Sequence, residues 1–199
     1  VDMNDTQKIL WEKCKKEVLN EFTILDKKSF WEKHLGENNI ENIFVFYKKF
    51  KILLRFEIIK YLKKKFNERF ILIGDDWKDY SIDALSSNFN PNYVKKKYKG
   101  NICLDFGSAE GSSSLYSRSN SIIEAGGLIL QSKQIDSDNI WGDLENKITF
   151  KNFEDLEFLI TKLIDNENLS SNILLNISKN FKNSKNLIEK NFDQIFKTI

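Results

Sequence analysis

The sequence predicts an α/β fold, a doubly wound parallel sheet preceded by a mainly helical N-terminal region. Three observations carry this. Upstream of residue 66, apolar residues such as Ile9, Leu10, Val18, Leu19 and Phe22 recur at roughly helical spacing. From residue 70 onward, short apolar runs alternate with polar loops and helical stretches, the pattern of strands joined by crossovers. Within that second part, Asn101–Gln131 (NICLDFGSAEGSSSLYSRSNSIIEAGGLILQ) reads as strand, glycine/serine loop, short helix, Gly-Gly, strand. The chain divides into a helical region over 1–45 and an α/β domain over 46–199.

The elements follow in order. Residues 28–35 form a short amphipathic piece, broken by Gly36 and the pair Asn38–Asn39. Ile43–Tyr47 (IFVFY) fits either a buried strand or the start of the next helix. Phe50–Phe66 is the clearest helix, with Leu53, Leu54, Ile58, Tyr61 and Leu62 on its apolar side and Lys63–Lys65 at its C-terminal end. Phe70–Gly74 (FILIG) is a first strand, followed by Asp75, Asp76 and Trp77. Residues 78–92 are loop-like and hold Pro91, the only proline. Tyr93–Tyr98 is a short helix, Ile102–Phe106 a second strand, Leu128–Gln131 a third and Lys147–Phe150 a short fourth. Helices close the chain over about 153–166, 168–180 and 184–198, with boundaries at Asn152 and Asp165–Asn166.

Composition excludes several classes. A net charge of +2, from 31 cationic and 29 anionic side chains, argues against a nucleic-acid binder. The cations are 28 lysines and 3 arginines, which together with abundant Ile, Asn and Phe reads as an AT-rich codon bias. That bias makes the runs Lys63–Lys65 and Lys95–Lys97 solvated helix faces first. Contact with anionic lipid head groups, peripheral to the inner membrane face, is their alternative. Cys14 and Cys103 stand far apart, with His34 the only histidine, so neither a zinc site nor a disulfide framework is expected. Cys103 reads as a buried strand residue and His34 as an ordinary surface or helix-end histidine. The setting is reducing, hence cytoplasmic. No apolar run reaches the ~18–20 residues that span a bilayer. A start at Val1 suggests a piece of a longer protein.

In an open α/β sheet, ligands bind beyond the carboxyl ends of the strands. The loop after Ile102–Phe106 lies there. Gly107, Ser108, Gly111 and Ser112 supply backbone amides and hydroxyls ahead of a helix N-terminus, which suits a phosphate or diphosphate. Arg118, at the helix entrance, can meet phosphate oxygens with a fixed guanidinium fork. The plainer alternatives are a surface loop of common turn residues and an ion pair from Arg118 to Glu110 or Glu124. Gly126 and Gly127 permit a tight helix-to-strand turn with close backbone approach. Arg55 and Arg69, on or beside a helix, read as solvated or structural. There is no GxxxxGK[ST] motif, so a P-loop hydrolase is not indicated. Asp75–Asp76 permit a weaker, receiver-like reading in which paired carboxylates bind magnesium. Trp77 reads as a packing residue first.

Four stretches together resemble the C-terminal, donor-binding domain of GT-B glycosyltransferases, of the group 1 kind and closest to its spore-maturation-like branch. They are Arg55–Leu62 (RFEIIKYL) with Ile71–Trp77 (ILIGDDW), Tyr93–Gly107 (YVKKKYKGNICLDFG), Tyr116–Leu130 (YSRSNSIIEAGGLIL) and Ile148–Ile164 (ITFKNFEDLEFLITKLI). The resemblance spans roughly residues 50–180. It implies a Rossmann-like nucleotide-sugar-binding domain with a donor site drawn from Gly107, Ser108, Gly111, Ser112, Tyr116, Arg118, Ser119, Ser121, Glu124, Gly126 and Gly127. It also implies transfer of a sugar from a nucleotide-diphosphate donor to a glycan, lipid or protein acceptor, as in cell-surface glycan synthesis, with no cofactor or metal. Any catalytic base would come from the other domain. Three residues past Arg118, where the family places a ribose-holding Glu, this chain has Ser121. Either Glu124 takes that role across a local deletion, or the contact is weakened. The alternative is a non-catalytic α/β module for protein interaction.

Overall fold

The computed structural model describes residues 3–36, 40–75, 77, 82–86, 88, 90–107 and 117–197. Helix α1 (Asp5–Asn20) begins in a reciprocal capping box: Asn4 Oδ1 accepts from the Gln7 amide at 2.9 Å, and Gln7 Oε1 accepts from the Asn4 amide at 3.2 Å. Its residues Leu10, Trp11, Cys14 and Val18 fall on one side and are buried. A 3-10 turn over Phe22–Asp26 leads into α2 (Lys28–Leu35). Helix α3 (Ile40–Phe66) buries Phe46, Phe50, Leu54, Ile58 and Leu62, a four-residue repeat that keeps one stripe facing inward. Ile43–Tyr47 is thus helical, because Phe46 begins that stripe. Phe50 meets the rings of Trp11 at 5.0 Å, Trp31 at 5.6 Å and Phe46 at 6.1 Å, so an aromatic cluster ties α1, α2 and α3 together. His34 lies in the last turn of α2, but its side chain is only 4% exposed. It packs on Phe30 at 4.7 Å, with Nε2 3.3 Å from Glu17, and is no surface residue.

The second half holds the sheet. Asn90 caps α4 (Pro91–Tyr98), and Pro91 takes the first helical position, where a missing N–H leaves no bond unmade. Then come β1 (Ile102–Asp105), α5 (Ser117–Glu124), β2 (Leu128–Ser132), α6 (Ser137–Trp141), α7 (Glu145–Ile148) and β3 (Thr149–Phe150). The chain ends in α8 (Phe153–Asp165), capped by Asn152, and α9 (Glu167–Lys197). Among the described residues the sheet is three-stranded, parallel, in the order β1-β2-β3. β2 is the middle strand and Leu128–Gln131 are all buried, as expected for a strand covered on both faces. Asp105 bonds to Ser119 of α5, while the next ring, Phe106, lies under Arg55 of α3. Helices α3 and α5 thus both reach the carboxyl end of β1.

Three expected elements differ. Phe70–Gly74 is not a strand: Ile73 makes a single parallel bridge to Leu85, and Ile71 is exposed, so the run lacks the buried setting an apolar parallel strand needs. Lys147–Phe150 divides, with Lys147 and Ile148 closing α7 and only Thr149–Phe150 pairing with β2. The two C-terminal helices expected over 168–180 and 184–198 are one, α9, since no glycine or proline interrupts them. Among the described residues, no helix is long and apolar enough to cross a membrane.

Candidate functional site

Strand β1 delivers Asp105 to the carboxyl edge of the sheet, where it is 1% exposed. A carboxylate so deeply buried needs donors for its lone pairs. Asp105 Oδ1 accepts from the Gly107 amide at 3.0 Å, and Oδ2 accepts from the Ser119 hydroxyl in a short contact. Ser119 is fully buried on the first turn of α5. Asp105 therefore pins both ends of the loop joining β1 to α5. Gly107, at φ 67°, sits in the left-handed region that glycine tolerates without strain.

Two guanidiniums gather on this frame. Arg118 precedes Ser119, is exposed, and forms no ion pair or hydrogen bond among the described residues. Arg55 reaches in from α3. Its Nη2 donates to the Gly107 carbonyl at 3.3 Å, and its Cζ lies 5.8 Å from the centre of the Phe106 ring. Its Nε is buried without a partner. Arg55 is thus neither solvated nor an ordinary helix-surface cation. Burial, and then the positive charge of Arg118, lower its pKa below the usual guanidinium value, with Asp105 opposing. The phenol of Tyr98 faces the same charges. Burial raises it and Arg118 counters. Next along the edge, Gln131 stands in register with Asp105 and is wholly buried, its Oε1 accepting from Trp141 Nε1 at 2.8 Å.

The expected donor-site residues do not all converge. Gly107, Arg118 and Ser119 lie at the carboxyl edge. Ser121 is half-buried and donates its hydroxyl to the Ser117 carbonyl at 2.9 Å. Glu124 is exposed in the last turn of α5, about 9 Å along the helix axis from Arg118. Gly126 and Gly127 follow it, at the far end of the crossover. The Gly126 carbonyl accepts from the Gly100 amide at 3.1 Å. A Cβ at Gly127 would stand 2.8 Å from the Tyr98 carbonyl oxygen and 3.1 Å from Cys103 Sγ, so this glycine lets α5 close onto β1. Ser108, Gly111, Ser112 and Tyr116 lie outside the described residues, as do Glu110 and Asp76. Among the described residues, no group of His, Cys, Asp and Glu could hold a metal ion.

Sequence reasoning missed Asp105, Tyr98 and Arg55. The signal for Arg55 was available: arginine is one of only three in a chain that uses lysine as its default cation. No protein-family model, curated protein or solved structure matches this chain. Among the described residues this edge brings together Arg55, Arg118 and the Asp105 carboxyl, which is engaged by the Gly107 amide and the Ser119 hydroxyl.

Proposed function

We propose that the chain is the donor-binding half of a GT-B-type glycosyltransferase, its three strands forming the centre of a Rossmann-like, doubly wound sheet. It would take a nucleotide-diphosphate sugar and pass the sugar to a glycan, lipid or protein acceptor, acting in the cytoplasm or at the inner membrane face. The observation that carries this reading is Arg118, exposed and unpaired at the start of the crossover helix beside the buried Asp105–Ser119 contact. As the bond to the anomeric carbon breaks, negative charge builds on the departing diphosphate. A cation standing at that edge stabilises that charge. Protein side chains supply the positive charge in this reading.

The far position of Glu124 and the internal bond of Ser121 favour a second reading, an interaction module on the same scaffold. Titration calorimetry against UDP, GDP, CDP and ADP and their sugar conjugates separates the two. The donor-site reading expects one base to bind at least ~10-fold tighter than the others, and Arg118→Ala to weaken it by at least ~10-fold. A flat response to every nucleotide would leave the interaction module.

A further inference from the structure

We infer that Arg55, on α3, is the second guanidinium of this site and makes it selective for a diphosphate over a single phosphate. The inference rests on the anion-binding reading of the edge but not on the identity of the nucleotide or the sugar.

Two of the three arginines in the chain, remote in sequence, meet one sheet edge: Arg55 donates to the Gly107 carbonyl, and Arg118 precedes Ser119, which is bonded to Asp105. Arg55 is fixed there by the Gly107 carbonyl and the Phe106 ring, so its plane is set before any ligand arrives. A guanidinium carries five N–H donors. Among the described residues one contact, to Gly107, is made, and the buried Nε has no partner. No carboxylate forms an ion pair with it there. Asp105, on the same edge, is engaged by the Gly107 amide and the Ser119 hydroxyl. Two like charges beside one committed carboxylate leave a surplus of positive charge, partly out of water, where it is costly. Bound anion relieves it. One phosphate can satisfy one fork in bidentate fashion, whereas a diphosphate presents a charged group to each of two. Lysine would supply the charge but neither the fork nor the stack on Phe106, which accounts for arginine at this position in a lysine-dominated chain.

The test is calorimetric titration of the full chain with inorganic pyrophosphate and with inorganic phosphate, on wild type, Arg55→Lys and Arg55→Gln. Wild type should prefer pyrophosphate by about 10-fold or more, as a second bidentate contact gives. Both variants should lose most of that preference while their phosphate affinity stays within about twofold. The quantity read is the ratio within each variant, so a general loss of folded protein cancels, and the glutamine keeps a donor for Gly107 if the lysine does not fold. An unchanged ratio in both variants, or no preference in wild type, overturns the inference. The donor reading fails separately, if pyrophosphate binds selectively and no nucleoside diphosphate binds more tightly than it does.

Discussion

The aromatic layer of α1–α3 and the carboxyl edge of the sheet bury their side chains in opposite ways. Around Phe50 the layer packs ring on ring, and its buried indole, Trp31 Nε1, finds a backbone carbonyl, that of Leu25, at 2.7 Å. At the edge, Asp105, Ser119 and Gln131 are buried polar groups that engage one another or a neighbouring helix, and two cations stand over them without an ion pair. The first region holds the fold together by ring packing, and His34 at its margin is the residue there whose buried ring nitrogens make no hydrogen bond. The second is ordered by internal bonds yet keeps unused donors, as a binding site must.

The comparison predicts its largest effect in the aromatic layer. Phe50 is fully buried against three rings, so Phe50→Ala should cost about 3–5 kcal/mol in urea unfolding. While the protein stays folded, its pyrophosphate affinity should not change. A variant that lost affinity and stability together would show that the two regions are not separate in function.

The two thiols sample one region each. Cys14 lies in α1 and Cys103 in β1, and burial pushes each up to about 12 from an ordinary 9.0. Between those values the unfolded chain binds fewer protons than the folded protein, so stability is fully present below pH 9 and falls as pH rises. At pH 10 the loss is on the order of 1 kcal/mol per thiol. Urea unfolding at pH 8 and pH 10 should therefore show a smaller pH-dependent drop in Cys14→Ala and in Cys103→Ala, by that amount in each. A reduction for Cys14→Ala alone would mean that the sheet edge opens before the helical layer unfolds.

How much of this was legible in the sequence divides along the same line. The crossover from Ile102 to Gln131 was readable because apolar runs, a glycine-rich loop and Gly126–Gly127 leave few alternatives. The strand expected at Phe70–Gly74 failed because an apolar run reports burial only if some neighbour covers it, and Ile71 is exposed. At the site, Arg118 was legible from its place at a helix entrance. Arg55 carried one signal, its rarity in a lysine-rich chain, but nothing local to α3 says that its side chain reaches the Gly107 carbonyl. Asp105 drew no reading from the sequence, since its partner Ser119 lies 14 residues away. Long-range pairing, unlike periodicity, leaves no mark within a window of ten residues.

The smallest effects come from neighbours on one helix, and they test the comparison most finely. Ser119 is buried and donates to Asp105, so Ser119→Ala should cost about 1.5 kcal/mol by leaving that buried side chain short of a donor. Arg118, one residue earlier, is exposed and without a partner among the described residues. Arg118→Ala should change unfolding stability by less than about 0.5 kcal/mol. It should even stabilise slightly, because removing one of two like charges relieves Arg55. A cation that holds the fold together would behave the other way round. Clear destabilisation by Arg118→Ala would make it a structural residue and take the central support from the anion site, whereas a silent or mildly stabilising change alongside lost pyrophosphate binding marks a residue placed for its ligand.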